Sequence, residues 1–396
     1  MSRQGRSGAV LAGWGITDVG KVYGRTATDF AADAVRRATT DAGLRLADLD
    51  GLLISSGLRH DVGVRLQDTL GLRDLRLNTE MNAFGATAGA MVAFAAAAVT
   101  AGAATAVACV FADAPLQPSG GAGNAYAAGA RPIPPGPYSY RFASGAVSPN
   151  VLYAMAAQRH MSTYGTTSEH LGAIAVAQRG WAALNPLAQQ RAPLSLAQHQ
   201  QSPWIAEPLH LLDCCLVSNG GAAVVVTSAE RARDLAQPPV YLLGWAQGHP
   251  GQVMERGSSF GLRSGAAVAG PAALQMAGVH TTDVDVLELY DCYTFTVLLT
   301  LEDYGFCPKG EGGRFVAEGH TGRGGRLPCN TGGGQLSGYY LWGFTPLGEA
   351  ILQARGHAGE RQVDRRDVIM VSGNGGILEH HCTLVLSPHP PAGAPS

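Results

Sequence analysis

The sequence predicts an α/β protein built from two similar halves, each made of β-α-β units around a parallel or mixed sheet. Short, almost wholly apolar runs alternate with helix-length amphipathic stretches, which is the pattern of strands buried on both faces of a sheet. The same order of elements occurs twice along the chain. The length of 396 residues exceeds that of one ordinary core and fits two halves.

The first half begins with a strand, a glycine turn around a tryptophan, a helix and a second strand. These elements are predicted at Ala9–Ala12, Gly13–Gly15, Thr28–Ala42 and Leu49–Ile54. The second half repeats the order, with elements predicted at Val240–Ala246, Gly265–Ala277 and Val284–Leu289. Stacking the two halves gives a layered α/β/α/β/α body.

The repeat extends to single residues. Ala42–Ile54 matches Ala277–Leu289, and an Ala-Gly turn followed by an Asp-x-Asp pair stands at the same place in both segments. A chance match of two such turns is the alternative. The common order of strand, tryptophan turn, helix and Asp-x-Asp strand favours an internal duplication.

The longest uncharged stretch, Met81–Ala112, raises the question of a membrane span. Glycines interrupt it, and it ends in the strand-like Ala106–Phe111, so we expect a buried helix followed by a buried strand. Helices are also predicted at Asn150–Tyr164 and at Ser168–Ala183, the latter with Ser168 as N-cap, and a strand at Ala222–Thr227.

The domain organisation follows from these elements. The N-terminal half is interrupted by a long, less regular region that is rich in Gly, Pro, Ala and Tyr at its start, a composition typical of an inserted loop that covers a substrate. The predicted segments are 1–114, the first part of the N-terminal half; 115–210, the insertion; 211–239, the end of that half; 240–388, the C-terminal half; and 389–396, a disordered tail.

Composition excludes several classes of protein. A net charge of −2 gives no basic excess for nucleic acid. The N-terminus has no apolar signal region, so we expect a cytoplasmic protein without a membrane span. Seven cysteines without CxxC spacing are expected to be reduced thiols. We expect no metal site, because the adjacent His380 and His381 would point to opposite faces of a strand.

Four segments together carry a family resemblance. They are Asp213–Ala223, Glu288–Thr294, Gly332–Ser337 and Gly373–Leu378. In this order they resemble the thiolase superfamily, in the branch similar to the thiolase domain of sterol-carrier proteins, over residues 8–388. The resemblance implies the thiolase fold, two βαβαβ halves in five αβαβα layers with an inserted loop domain, and a homodimer.

The usual thiolase residues are nevertheless replaced. Matching of the motifs puts Gly85 at the position of the nucleophilic cysteine, whose thiolate takes the acyl group. Tyr290 and Tyr340 stand where two histidines are expected. No cysteine lies in Ser372–Gly376, where the family has its acid/base thiol. Covalent acyl transfer by the usual route is therefore not expected.

This pattern looks like the thiolase-like aldolases of steroid side-chain degradation, in which two tyrosines are catalytic. The resemblance implies retro-aldol cleavage of a β-hydroxyacyl-CoA to a ketone and a short acyl-CoA, without a covalent intermediate. Tyr290 and Tyr340 are the expected acid/base pair, and the backbone at Gly85, Gly375 and Gly376 is expected to bind the enolate oxygen. The secondary candidates are Asp291, as a loop-orienting or strand-capping residue, and Tyr339, the local rival of its neighbour.

Two other functions stay open at this point: a thiolase-type acyltransferase or condensing enzyme with an unrecognised nucleophile, and a non-catalytic subunit that binds acyl chains. The aldolase reading needs no cofactor besides the CoA thioester substrate. It also implies a companion protein with an OB-fold and a zinc ribbon.

Overall fold

The computed structural model describes residues 8–58, 61–121, 125, 136, 138–251 and 256–391. Its strands are β1 Ala9–Ile16, β2 Gly51–Ser56, β3 Leu77–Glu80, β4 Ala106–Asp113, β5 Trp204–Ala206, β6 Leu209–His210, β7 Gly220–Ser228, β8 Val240–Gly248, β9 Val286–Glu288, β10 Ile369–Gly375 and β11 His380–Ser387. Its helices are α1 Ala27–Asp41, α2 Leu66–Leu70, α3 Thr87–Thr100, α4 Tyr138–Ala143, α5 Pro149–Tyr164, α6 Ser168–Ala182, α7 Leu196–Gln200, α8 Ala229–Ala232, α9 Ala266–Ala277, α10 Thr294–Tyr304, α11 Gly312–Ala317 and α12 Phe344–Arg355.

Nine of the strands form one mixed sheet in the order β3-β2-β4-β7-β1-β8-β11-β10-β9. The pairs β2–β3, β2–β4 and β9–β10 are parallel, and the others are antiparallel. β1 and β8 pair only at Val10↔Tyr241 and Leu11↔Val240. The sheet is therefore two smaller sheets that touch along one short edge, one from each half of the chain.

The predicted duplication is confirmed by matching contacts in the two halves. The Asp50 carboxylate accepts the backbone N–H groups of Thr105 and Ala106 at 2.8–3.0 Å, at the start of β4. Asp285 accepts those of Asp367 and Val368 at 2.8 and 3.1 Å, just before β10. Each aspartate thus ties its strand to the next parallel strand, which explains the second aspartate of the repeated Asp-x-Asp pair.

The layers follow from what each helix packs against. α1 covers the outer face of the N-terminal sheet and α9 that of the C-terminal sheet, whereas α3 and α12 contact strands of both halves and lie between them. α3 is buried around most of its circumference, which accounts for the absence of charge in this stretch. In the described part of the chain, no helix is long and apolar enough to cross a membrane.

The chain between β4 and β7 carries α4 to α7 and the β5–β6 hairpin. The boundaries 115 and 210 of the insertion stay predictions. Thr167, not Ser168, is the N-cap of α6: its hydroxyl accepts the His170 N–H, while His170 Nδ1 accepts the Thr167 N–H. Of the predicted tail 389–396, residues 392–396 lie outside the described residues.

Candidate active site

The two tyrosines singled out by the sequence meet at the end of the C-terminal sheet. Tyr290 follows β9, and its backbone N–H donates to Ser372 Oγ at 2.9 Å. Tyr340 comes from the glycine-rich loop that leads into α12, and its N–H donates to Ser218 Oγ at 3.0 Å. The two phenol oxygens lie 3.4 Å apart, within hydrogen-bonding distance. The Tyr290 side chain is buried, and that of Tyr340 is half-buried.

Gly85 lies directly against this pair, just before α3. A Cβ atom at this position would lie 2.2 Å from both Cε2 and Cζ of Tyr290 and 2.3 Å from the Asn374 carbonyl oxygen. The Tyr290 ring therefore occupies the space that any side chain at residue 85 would need. The glycine at position 85 and the ring of Tyr290 therefore depend on each other sterically.

The end of β10 and the turn after it pack against the same backbone segment. A Cβ on Gly375 would lie 1.9 Å from the Ala83 carbonyl oxygen, and one on Gly373 would lie 2.8 Å from that of Gly85. Gly376 has φ +62°, a left-handed conformation that favours glycine. The predicted enolate-binding positions therefore lie close together in the fold. All three are glycines, so no side chain covers the backbone at Gly85, Gly375 or Gly376.

Asp291 lies behind the glycine loop. Its carboxylate accepts the N–H groups of Gln335 at 2.9 Å and of Leu336 at 3.2 Å. A Cβ on Gly334 would lie 2.1 Å from Asp291 Oδ2, so the loop approaches the carboxylate closely. Burial raises the pKa of Asp291 to about 7. The side chain holds the loop that carries Tyr340 and does not join the phenol pair.

Tyr339 lies in the interior beside Glu349 and Arg361, whose charges act on its phenol. Burial raises its pKa. Its carbonyl oxygen accepts the Thr345 hydroxyl at 3.1 Å at the start of α12.

Burial also sets the protonation of the groups around Tyr290. It raises the pKa of the Tyr290 phenol well above its usual value, and the nearby Cys292 thiol adds to the rise, while the hydrogen bond with Tyr340 opposes it. Burial raises the pKa of the Cys214 and Cys292 thiols to about 12, and that of Cys215 well above its usual value. Near neutral pH these thiols are protonated and are poor nucleophiles.

Tyr153 was not predicted from the sequence. It comes from α5 in the inserted region, and its hydroxyl lies 2.8 Å from both the Asn374 Nδ2 and the Gly376 carbonyl oxygen. Its ring packs on that of Tyr293 with centroids 4.5 Å apart. The insertion matches no repeat or motif, so its contribution was not readable without coordinates.

Among the described residues, His199, His210 and Asp213 form the group that could offer three donors to a metal ion. The carboxylate already accepts hydrogen bonds from His199 Nε2, the Thr294 hydroxyl and the His210 backbone N–H, at 2.6–2.9 Å. The cluster therefore forms a buried hydrogen-bonded link between the insertion and α10. His380 is half-buried and faces His249, with the two Nδ1 atoms 3.0 Å apart, while His381 bonds Tyr304 inside the core.

The duplicated halves define a thiolase-fold enzyme, and its candidate site holds a pair of phenols beside a glycine. Comparison with known proteins agrees. Residues 246–388 match the family model of the thiolase C-terminal domain-like proteins.

The chain is 38% identical to a steroid side-chain-cleaving aldolase of Thermomonospora curvata, over 93% of this chain and 95% of that protein. It is 36% identical to the 17-hydroxy-3-oxo-4-pregnene-20-carboxyl-CoA lyase of Mycobacterium tuberculosis, over 93% and 96% of the two chains. The solved structure of an Ltp2-ChsH2(DUF35) aldolase superposes with a TM-score of 0.86 at 35% identity, covering 96% and 98% of the chains.

The chain therefore belongs to the thiolase superfamily, in its family of thiolase-like aldolases, which are carbon–carbon lyases.

Proposed function

We propose that this chain catalyses the retro-aldol cleavage of a β-hydroxyacyl-CoA to a ketone and a short acyl-CoA, with Tyr290 and Tyr340 as its acid/base pair. The observation that carries the proposal is the 3.4 Å contact between the two phenol oxygens beside Gly85. There a thiolase would hold its nucleophile, and the Tyr290 ring fills the space instead.

The proton transfers can be assigned from the surroundings of the two phenols. Burial favours the neutral, proton-donating form of Tyr290. Tyr340, which is less buried, starts as the phenolate in this proposal and takes the proton of the substrate hydroxyl as the carbon–carbon bond breaks and the ketone forms. The electron pair of that bond moves into the thioester as an enolate, and Tyr290 protonates its α-carbon. A proton then returns from Tyr340 to Tyr290 across their contact, which restores the site.

The enolate oxygen needs donors that are already in place as its charge develops. The backbone around Gly85, Gly375 and Gly376 supplies them in this proposal, because it lies against the Tyr290 ring and carries no side chains that would keep a thioester away. Substrate charge would thus be held by backbone N–H groups, and substrate protons would be moved by phenols.

The substrate class follows from the relatives. Two of them are named for cleaving a steroid side chain or a pregnene carboxyl-CoA. We assign to this chain a bulky tertiary-alcohol acyl-CoA from a steroid side chain, with the insertion forming part of the pocket. The reaction needs no cofactor besides the CoA of the substrate.

The assembly we propose is a homodimer with a companion protein. β3 is an edge strand that pairs with β2 alone in the described sheet, so its other edge is free to pair with a second copy. The related solved aldolase contains ChsH2(DUF35) beside Ltp2, and a companion with an OB-fold and a zinc ribbon would fill that role here.

The test is a product assay. The purified protein, alone and with a co-expressed companion, is incubated with steroid-derived β-hydroxyacyl-CoAs, and ketone and acyl-CoA are quantified. Equimolar release of the two products is expected. Release of free CoA or transfer of the acyl group without ketone would show an acyltransferase instead, and no turnover with any of these substrates would contradict the proposal.

A further inference from the structure

We infer that Tyr153 is a positioning residue for this reaction: its hydroxyl fixes the end of β10 and the turn after it, residues Gly373–Leu378, on which the proposed enolate site depends. The inference rests on the proposed function. It adds a residue from the insertion to a site otherwise built from the two halves.

The Tyr153 hydroxyl makes two hydrogen bonds. Tyr153 Oη accepts a hydrogen bond from Asn374 Nδ2 and donates its single proton to the Gly376 carbonyl oxygen, both at 2.8 Å. The Tyr153 side chain is 2% exposed, so water does not replace these bonds readily. One phenol thus links the end of β10, at Asn374, to the first residue of the turn, Gly376, and both to α5.

Gly373–Gly375, at the end of β10, pair with β11 along one edge, but β9 pairs with β10 only at Ile369–Val371 and does not reach them on the other edge. Gly376 then begins the turn in a left-handed conformation, with φ +62°. The Tyr153 hydroxyl therefore adds a support to this segment that the sheet does not supply. Within it, Asn374 is the residue whose carbonyl oxygen lies against Gly85, where an added Cβ would be only 2.3 Å away. A shift of Asn374 would therefore reach Gly85 and the Tyr290 ring directly.

The Tyr153 ring is itself held in place by its neighbours. Its ring packs on Tyr293 at 4.5 Å between centroids, and Tyr293 in turn donates its hydroxyl proton to Asn150 Oδ1 on α5. The ring is fixed without the hydroxyl, so the Tyr153→Phe variant keeps the packing and removes the bonds of the hydroxyl to Asn374 and Gly376, together with its contact to the Cys292 thiol.

The experiment compares Tyr153→Phe with the wild-type protein in two assays. One is steady-state cleavage, with kcat and KM separated. The other is deuterium exchange from solvent into the α-carbon of the short acyl-CoA product, which reports enolate formation without cleavage of the carbon–carbon bond. We expect kcat and the exchange rate to fall together, about 10- to 100-fold, with KM within about 3-fold, as for a small misplacement of catalytic groups.

Thr227→Val is the matched control, because it also removes one hydroxyl group from a buried side chain. The Thr227 hydroxyl donates to the Thr105 carbonyl oxygen at 2.7 Å, just before β4 and away from the two tyrosines. This substitution should lower the melting temperature and leave kcat and exchange unchanged. Asn374→Ala, made alone and together with Tyr153→Phe, provides a second route. The double variant should be no slower than the slower single variant, because both changes break one linkage.

Wild-type kcat and exchange in Tyr153→Phe would overturn the inference, as would a loss explained entirely by a smaller folded fraction. Additive losses in the double variant would also count against it. A wild-type protein that cleaves no β-hydroxyacyl-CoA would instead contradict the proposed function, and the inference would fall with it.

Discussion

At the scale of single residues, the site depends on the exchange of one side chain for another. The ring of Tyr290 fills the space beside Gly85, where a Cβ would be 2.2 Å from two ring carbons. The sequence alone predicted both residues, because each departs from a recognisable motif. It could not show that they touch, since they lie in different halves of the chain and no local pattern links them.

Restoring a cysteine should therefore not restore thiolase chemistry. We expect Gly85→Cys to lower cleavage by at least about 100-fold, because the new side chain and the Tyr290 ring cannot share the space. Intact-mass measurement after mixing with acyl-CoA should show no acylated protein. Gly180→Cys is the control, because a Cβ there meets nothing within 4 Å. Full turnover, or an acyl-enzyme in Gly85→Cys, would show that the two positions are independent.

At the scale of elements, the glycine loop before α12 is held by the residue that follows Tyr290. Asp291 accepts two loop N–H groups, so one strand end carries one phenol and fixes the loop that brings the other. The sequence predicted the importance of the glycine-rich segment Gly332–Ser337 and of Tyr340. It left Asp291 open between loop orientation and strand capping, because an aspartate at a strand end fits both roles until its partners are seen.

The buried Asp291 gives a pH dependence that can be measured. Its folded-state pKa of about 7 lies above the usual unfolded value of about 3.9. The neutral form is thus favoured by folding, and this stabilisation is present at low pH and lost as the pH rises through about 7. The melting temperature of the wild type relative to Asp291→Asn should fall from about pH 5 to about pH 8, as followed by differential scanning fluorimetry. A constant or rising difference would contradict the shifted pKa.

At the scale of the whole molecule, the duplication brings the site together. Gly85 lies just before α3 and Tyr290 just after β9, and the central helices α3 and α12 keep the two halves in contact. The repeat made the halves and layers predictable. Tyr153 was not predictable, because it reaches a turn far along the chain from an insertion that obeys no repeat.

The burial of the cysteines predicts that thiol reagents leave the cleavage activity unchanged. All seven cysteines have raised pKa values, in each case mainly through burial. Cleavage should therefore survive treatment with iodoacetamide, measured as the residual rate of ketone release beside a cysteine-dependent thiolase as control. Loss of activity in step with alkylation of one cysteine, in protein that stays folded, would point to the acyltransferase alternative.

The most direct test of the central claim is the turnover of Tyr290→Phe and Tyr340→Phe, measured as ketone and acyl-CoA released per active site. Each variant should lose about 100-fold or more in kcat, since each phenol moves a proton. Tyr339→Phe, at a buried ring whose phenol responds to the charges of Glu349 and Arg361, should stay within about 3-fold of wild type in kcat, because it moves no proton. Near wild-type cleavage by both Tyr290→Phe and Tyr340→Phe would contradict the two-tyrosine mechanism.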